Sequence, residues 1–195
     1  VLSGATTIVL NGTTMKVTNS RAGWSNKTMS VPANGLVYVK TVTTGDSSTK
    51  TGNLTVSAPS GFNGRASFVA DNDILVTDHV RYTNNPETVP SSTDAIGLIA
   101  KRKVEVQTSA PNNLEIYAHI ICQTSGFGVK DYNSGSSRGV LTVYGGIVNS
   151  IRNAVGIVGG SGYTKNYSFD RRFTTNPPPS YPTVTDELEW TEWEG

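Results

Sequence analysis

Apolar and polar residues alternate in four segments of the chain, FVADNDILV (68–76), LIAKRKVEV (98–106), LEIYAHIIC (114–122) and LTVYGGIVN (141–149). Alternation with a period of two is the mark of strands that bury one face. Three of the segments share a plan: an apolar strand, a small corner residue (Ala70, Ala100, Gly145), a short polar or glycine turn, then a second strand. In the third segment Ala118 takes the corner, so the corner-to-corner steps are 30, 18 and 27 residues. A loose repeat with insertions of variable length predicts units that must stack to bury their apolar faces. The pattern therefore predicts an all-β fold, a single-stranded right-handed parallel β-helix. Within it Leu98, Ile116, Val143 and Ile147 are expected in one core, and Lys101, Glu115 and His119 outside.

Upstream, Ile8 and Leu10 lead into Asn11-Gly12 and then Met15 and Val17, the signature of a tight turn between strands. Residues 21–35 read as a loop, LVYVK (36–40) as a strand and 43–53 as a protruding polar loop that could be trimmed without loss of folding. LTV (54–56) and RASFVA (65–70) lead into the repeat. Insertions at 82–94, 107–113 and 129–139 should leave one edge of the stack as surface loops. After Val158 the pattern changes to glycine, aromatics, the run Pro177–Pro179 and a terminus, DELEWTEWEG, with five carboxylates. This divides the chain into a β-helix domain, 1–163, and an extended aromatic, proline-rich and acidic tail, 164–195, laid along the solenoid or swapped onto a neighbour.

Composition supports strands and turns: Thr, Ser, Asn and Gly make up 81 of the 195 residues. A formal charge of +1 gives no electrostatic case for a nucleic-acid partner, and no apolar run is long enough to span a bilayer. The lone Cys122 alternates with Ile116 and Ile120 and reads as a core residue. The chain opens on strand-like VLSGATTIVL, without a signal peptide, which reads as a mature form or an excised fragment.

Chemistry is sparse. His79 and His119 fall out of phase with their apolar neighbours and read as surface residues. Asp71, Asp73, Asp78 and Asp94 resemble the aspartates that β-helical enzymes use on acidic polysaccharides. Lys101, Arg102 and Lys103 occupy the corresponding turn of the next unit, and simple pairing across solvent accounts for both groups. No zinc spacing, nucleophile elbow or phosphate loop is present, so no catalytic, cofactor or metal residue is assigned. The candidate interaction residues are Tyr181, Leu188, Trp190 and Trp193, apolar groups on a segment that is not expected to fold alone. Together with the unpaired ends of a β-helix they predict self-association, as a homo-oligomer or filament.

The runs NDILVTDHVRYTNNPET (72–88), APNNLEIYAHIIC (110–122), YNSGSSRGVLTVYGGIV (132–148), GYTKNYSFDRRF and NPPPSYPT (176–183) resemble a bacterial domain of unknown function. That domain occurs in large surface proteins with a pilin-like N-terminal helix, a helix this sequence lacks. The resemblance implies an extracellular or cell-surface β-helical domain and brings no catalytic residue. The expected function is a non-enzymatic structural or adhesive role, pilus-like or filament-associated. The alternative is a carbohydrate-binding or polysaccharide-processing β-helix protein.

Overall fold

The structure is a computed structural model that describes residues 1–182. It is all-β, apart from one helical turn at Ser47–Lys50 and two short 3-10 turns. The strands are β1 (Leu2–Ser3), β2 (Thr6–Asn11), β3 (Thr14–Asn19), β4 (Trp24–Ser30), β5 (Leu36–Lys40), β6 (Leu54–Phe62) and β7 (Arg65–Ala70). They continue with β8 (Ile74–Tyr82), β9 (Ala95–Ala100), β10 (Val104–Val106), β11 (Glu115–Cys122), β12 (Phe127–Val129), β13 (Ser137–Asn149) and β14 (Gly162–Phe169).

All fourteen join one mixed sheet. Two parallel stacks make up most of it: β1, β5, β7, β9, β11, β13 and β14 in one, and β2, β6, β8, β10 and β12 in the other. A pairing of Ile116 with Val80 bridges them. The second stack ends in antiparallel strands, β2–β3–β4, so the sheet is mixed where an all-parallel β-helix was expected. Asn11-Gly12 does make the predicted hairpin turn, with Gly12 at φ 54°. Trp24–Ser30, expected as loop, is a strand because its backbone pairs with β3. Its own side chains are mostly exposed and carry little pattern.

Side-chain ladders run through the core. Phe68, Leu98 and Ile120 lie side by side on adjacent strands, each fully buried, and Ile147 continues the row partly covered. Val80, Ile116 and Val143 form a second row. Lys101 is exposed as expected, whereas Glu115 and His119 point away from the core yet are half-buried. Ala70 sits beside Ala100 as the repeat implied, but Ala100 pairs with Cys122, not Ala118, and Cys122 with Asn149. The steps in register are thus 30, 22 and 27 residues.

Two other expectations change. The boundary at 163 falls inside β14, so residues 164–169 belong to the sheet. The loop at 43–53 is exposed only at its tip. The Thr49 and Asn53 carbonyls accept from the Ala5 and Thr6 amides, and Gly52 is buried, so its base fastens the N-terminal strand. The 82–94 insertion is likewise tied down, with Asp94 buried and accepting from the amides of Gly64 and Asn84 at 2.9 Å.

Gly145 shows how tight the stacking is. A Cβ there would overlap the Ala118 carbonyl oxygen, whereas one on Gly135 would meet nothing, although both have positive φ. Gly135→Ala should cost on the order of 1 kcal/mol for its left-handed backbone. Gly145→Ala should cost clearly more, because two backbones must separate. Urea unfolding of the two variants measures the difference, and equal losses would show that the β11–β13 contact is looser than described.

Candidate functional site

The outward face of the first stack carries a second ladder: Ser67, Gly97, His119 and Gly146 lie side by side on β7, β9, β11 and β13. Three of the four are small, so the face has a groove with one imidazole in it. The chain after β14 fills that groove. At Asp170, whose amide bonds the Gly145 carbonyl at 2.9 Å, it leaves the stack and runs back over the earlier strands. We refer to residues 170–182 as the strap.

Polar contacts fix the strap along its length. Arg172 chelates the fully buried Asp170 carboxylate and donates to the Ser92 and Asp94 carbonyls at 2.7 and 3.1 Å. Arg65 reaches up to the Asn176 side chain and the Pro177 carbonyl, both at 2.6 Å, and the Ser67 hydroxyl donates to the Pro179 carbonyl. Between these ties, Phe173 stacks on His119 with ring centroids 5.1 Å apart. Tyr181 lies 4.5 Å from the same ring, and Phe169 meets it edge-on at 6.2 Å. The apolar cover lowers the His119 pKa, against a smaller upward pull from Asp170. His119 Nδ1 and the Tyr181 hydroxyl are buried with no hydrogen-bond partner.

A polar row lies on the neighbouring outward face. The Glu115 amide donates to His79 Nδ1 at 3.1 Å, so a neutral His79 carries its proton on Nε2. Arg81 Nη2 stands 3.1 Å from that Nε2, donor facing donor. Burial first, and Arg81 second, lower the His79 pKa, while Asp78 and Glu115 oppose them. Arg81 and the Tyr117 hydroxyl both donate to the Glu115 carboxylate, at 2.5 and 3.2 Å. The Arg81, Glu115 and Tyr117 side chains thus pair across β8 and β11.

The aspartates do not converge. Asp71 accepts from the Tyr38 hydroxyl and the Thr41 amide, and Asp78 from the His79 amide. Asp73 is buried and accepts from two nitrogens of Arg102, whose own side chain is exposed, so the guanidinium closes over the carboxylate from the solvent side. Among the described residues no group of three or more His, Cys, Asp or Glu is placed to hold a metal ion. Burial pushes the Cys122 thiol up to about 11, which leaves it unionised at neutral pH.

Two grooves of about 610 Å³ flank the second stack. One, between loops 108–112 and 130–138, includes Tyr132, Lys130 and Asp131. The other is walled by Arg102, Lys103 and Arg152. Of the proposed interaction residues, Tyr181 is engaged with His119, and Leu188, Trp190 and Trp193 lie outside the described residues. Among the described residues no helix is long and apolar enough to cross a membrane. No family model, curated protein or solved structure matches the chain.

The strap groove escaped the sequence reading. Its only signal is a set of small outward residues at the register spacing, and that spacing has meaning only once the pairing is known. The lowered His119 pKa has a measurable consequence. Acid favours the unfolded chain, which binds the proton more readily, so this contribution to stability is complete above about pH 6.5 and is lost as pH falls from there through the lower folded value. His119→Phe keeps an aromatic ring under the strap and removes the titration. Urea midpoints measured from pH 7.5 to 5.5 should fall less steeply in the variant, and parallel curves would place His119 in water.

Proposed function

We propose that the chain is a non-enzymatic structural or adhesive module of a bacterial cell surface or extracellular filament, whose copies associate. We infer with it that the two parallel stacks are walls of a single-stranded right-handed parallel β-helix. Successive turns run in one direction, and parallel crossovers are right-handed in about 98% of cases. The observation that carries the functional reading is where apolar surface is left uncovered. Seven of the nine exposed large hydrophobic side chains, among the described residues, lie between Val140 and Phe169, in the last two strands of the stack and the connection between them. Apolar surface gathered at one end of a soluble protein marks a place where something docks. The resemblance to pilin-like surface proteins agrees with that reading.

Sedimentation velocity and electron microscopy over rising protein concentration test it. The account expects association that weakens in the double variant Ile157→Asp, Val158→Asp. A native protein that stays monomeric at every concentration would overturn it.

A second reading, carbohydrate binding, draws on the groove beside loop 130–138, where half-exposed Tyr132 stands among polar groups. Incubation with a panel of polysaccharides should then show binding that Tyr132→Ala weakens at least about tenfold, the loss of one stacked ring with its polar neighbours. Release of new reducing ends would contradict the non-enzymatic role.

A further inference from the structure

The two grooves beside the second stack are one trough. Lys103 and Glu105 stand on the outward face of β10, and Gly128 of β12 lies beside Glu105 in register, so the row leaves room. The chain then lays residues 152–154 against β12, where the Ala154 carbonyl accepts from the Val129 amide at 3.0 Å. Between these parts runs the groove walled by Arg102, Lys103 and Arg152. Val129 and Tyr132 border both this groove and the one between loops 108–112 and 130–138, so the two meet there. Val129 is buried beneath, and Tyr132 packs on the core while staying half-exposed.

The walls are fixed by the protein itself. Arg138 donates to the Thr108 carbonyl at 3.3 Å and to the Ala110 carbonyl, with its guanidinium 4.7 Å from the Tyr163 ring centroid. The Tyr163 hydroxyl donates to the Pro111 carbonyl at 2.7 Å, and the Ser161 hydroxyl to the Tyr132 carbonyl at 2.9 Å. Walls held in this way lower the cost of ordering when something binds.

Charge and polarity select the ligand. Arg102 is matched by Asp73, and Lys103 by Glu105, which also accepts from Gln107 at 3.0 Å. Among the described residues this leaves three lining cations without an ion-pair partner, Lys130, Arg138 and Arg152, against one lining acid, Asp131. The surplus calls for an anion. The polar lining includes Asn112, Ser134, Ser136 and Asn153, which both donate and accept as sugar hydroxyls do. Tyr132 is the only ring among the described residues that line either groove. One ring suits the apolar face of one sugar, whereas a nucleic-acid strand stacks successive bases on several.

We propose that this trough binds an acidic polysaccharide, with one sugar ring on Tyr132 and its carboxylate or sulfate groups on Lys130 to one side and Arg152 to the other. This rests on the carbohydrate reading above and deepens it, naming the charge of the glycan and extending the site over both grooves.

Calorimetric titration of the full-length protein with matched polymers tests it. Polygalacturonate is set against its methyl ester, and dextran sulfate against dextran, so that within each pair only the charge changes. The expected result is binding of an acidic member at least about tenfold tighter than its neutral counterpart, weakening as salt rises. The acidic polymer that binds more tightly tells carboxylate from sulfate as the group recognised. The double variant Lys130→Ala, Arg152→Ala should weaken that binding roughly tenfold, because two charge-assisted contacts are lost. Both side chains are exposed, so the fold is kept. Lys16→Ala with Lys40→Ala removes the same charge from exposed positions on β3 and β5 and should leave the affinity unchanged. Equal loss in the two double variants would overturn the site, as would polyglutamate or oligothymidylate binding as tightly as the acidic glycans. Equal affinity for charged and neutral polymers, with Tyr132→Ala still weakening both, would remove this proposal and leave the carbohydrate reading standing. Binding to none of the four polymers would remove both.

Discussion

Everything in this molecule depends on register between parallel strands joined by connections of unequal length. A parallel ladder works only if inward residues meet inward residues, and a slip of one position would turn every side chain to the other face. Phe68, Leu98, Ile120 and Ile147 keep to one row although the chain between them takes steps of 30, 22 and 27 residues. The surplus chain goes into loops, whose entropy cost rises slowly with length. Those loops then become part of the fastening: Asp94 at the end of one, and Thr49 and Asn53 at the base of another, supply the groups that hold neighbouring strands.

The same register that builds the core builds the outer groove. Ser67, Gly97 and Gly146 leave room in one row, and the strap crosses them with backbone carbonyls available to Ser67 and Arg65. A strap tied to successive strands couples them, so that opening one disturbs its neighbours. His119 is the exception in the row, and its ring becomes the surface against which Phe173 and Tyr181 pack. The charged pairs follow the same logic. Asp73 with Arg102 joins the corners that lead into β8 and β10, and Glu115 with Arg81 joins β11 to β8 across the two stacks.

How much of this is legible in the sequence follows from the period of a strand. Alternation places Leu98, Ile116 and Val143 inside, and the small corners align Ala70 with Ala100. It cannot choose between Ala118 and Cys122 as the partner of Ala100, because a slip of four keeps the same faces buried. The pairings of β11 decide it: its N-terminal part meets β8 at Ile116, and its C-terminal half meets β9. Trp24–Ser30 was missed because an edge strand with polar side chains has no apolar alternation to read. A tail laid along the stack was one of the two courses expected for it, but its contact with His119 was not read, because Phe173 and Tyr181 lie more than fifty positions from His119 and nothing local links them.

The central claim is that this register brings the strap's aromatic rings onto His119. Nuclear Overhauser contacts from the His119 ring protons in the full-length protein test it most directly. The account predicts contacts to the Phe173 and Tyr181 rings and to the Gly97 and Gly146 α-protons. A His119 ring with contacts only to its sequence neighbours on β11 would contradict both the register and the strap.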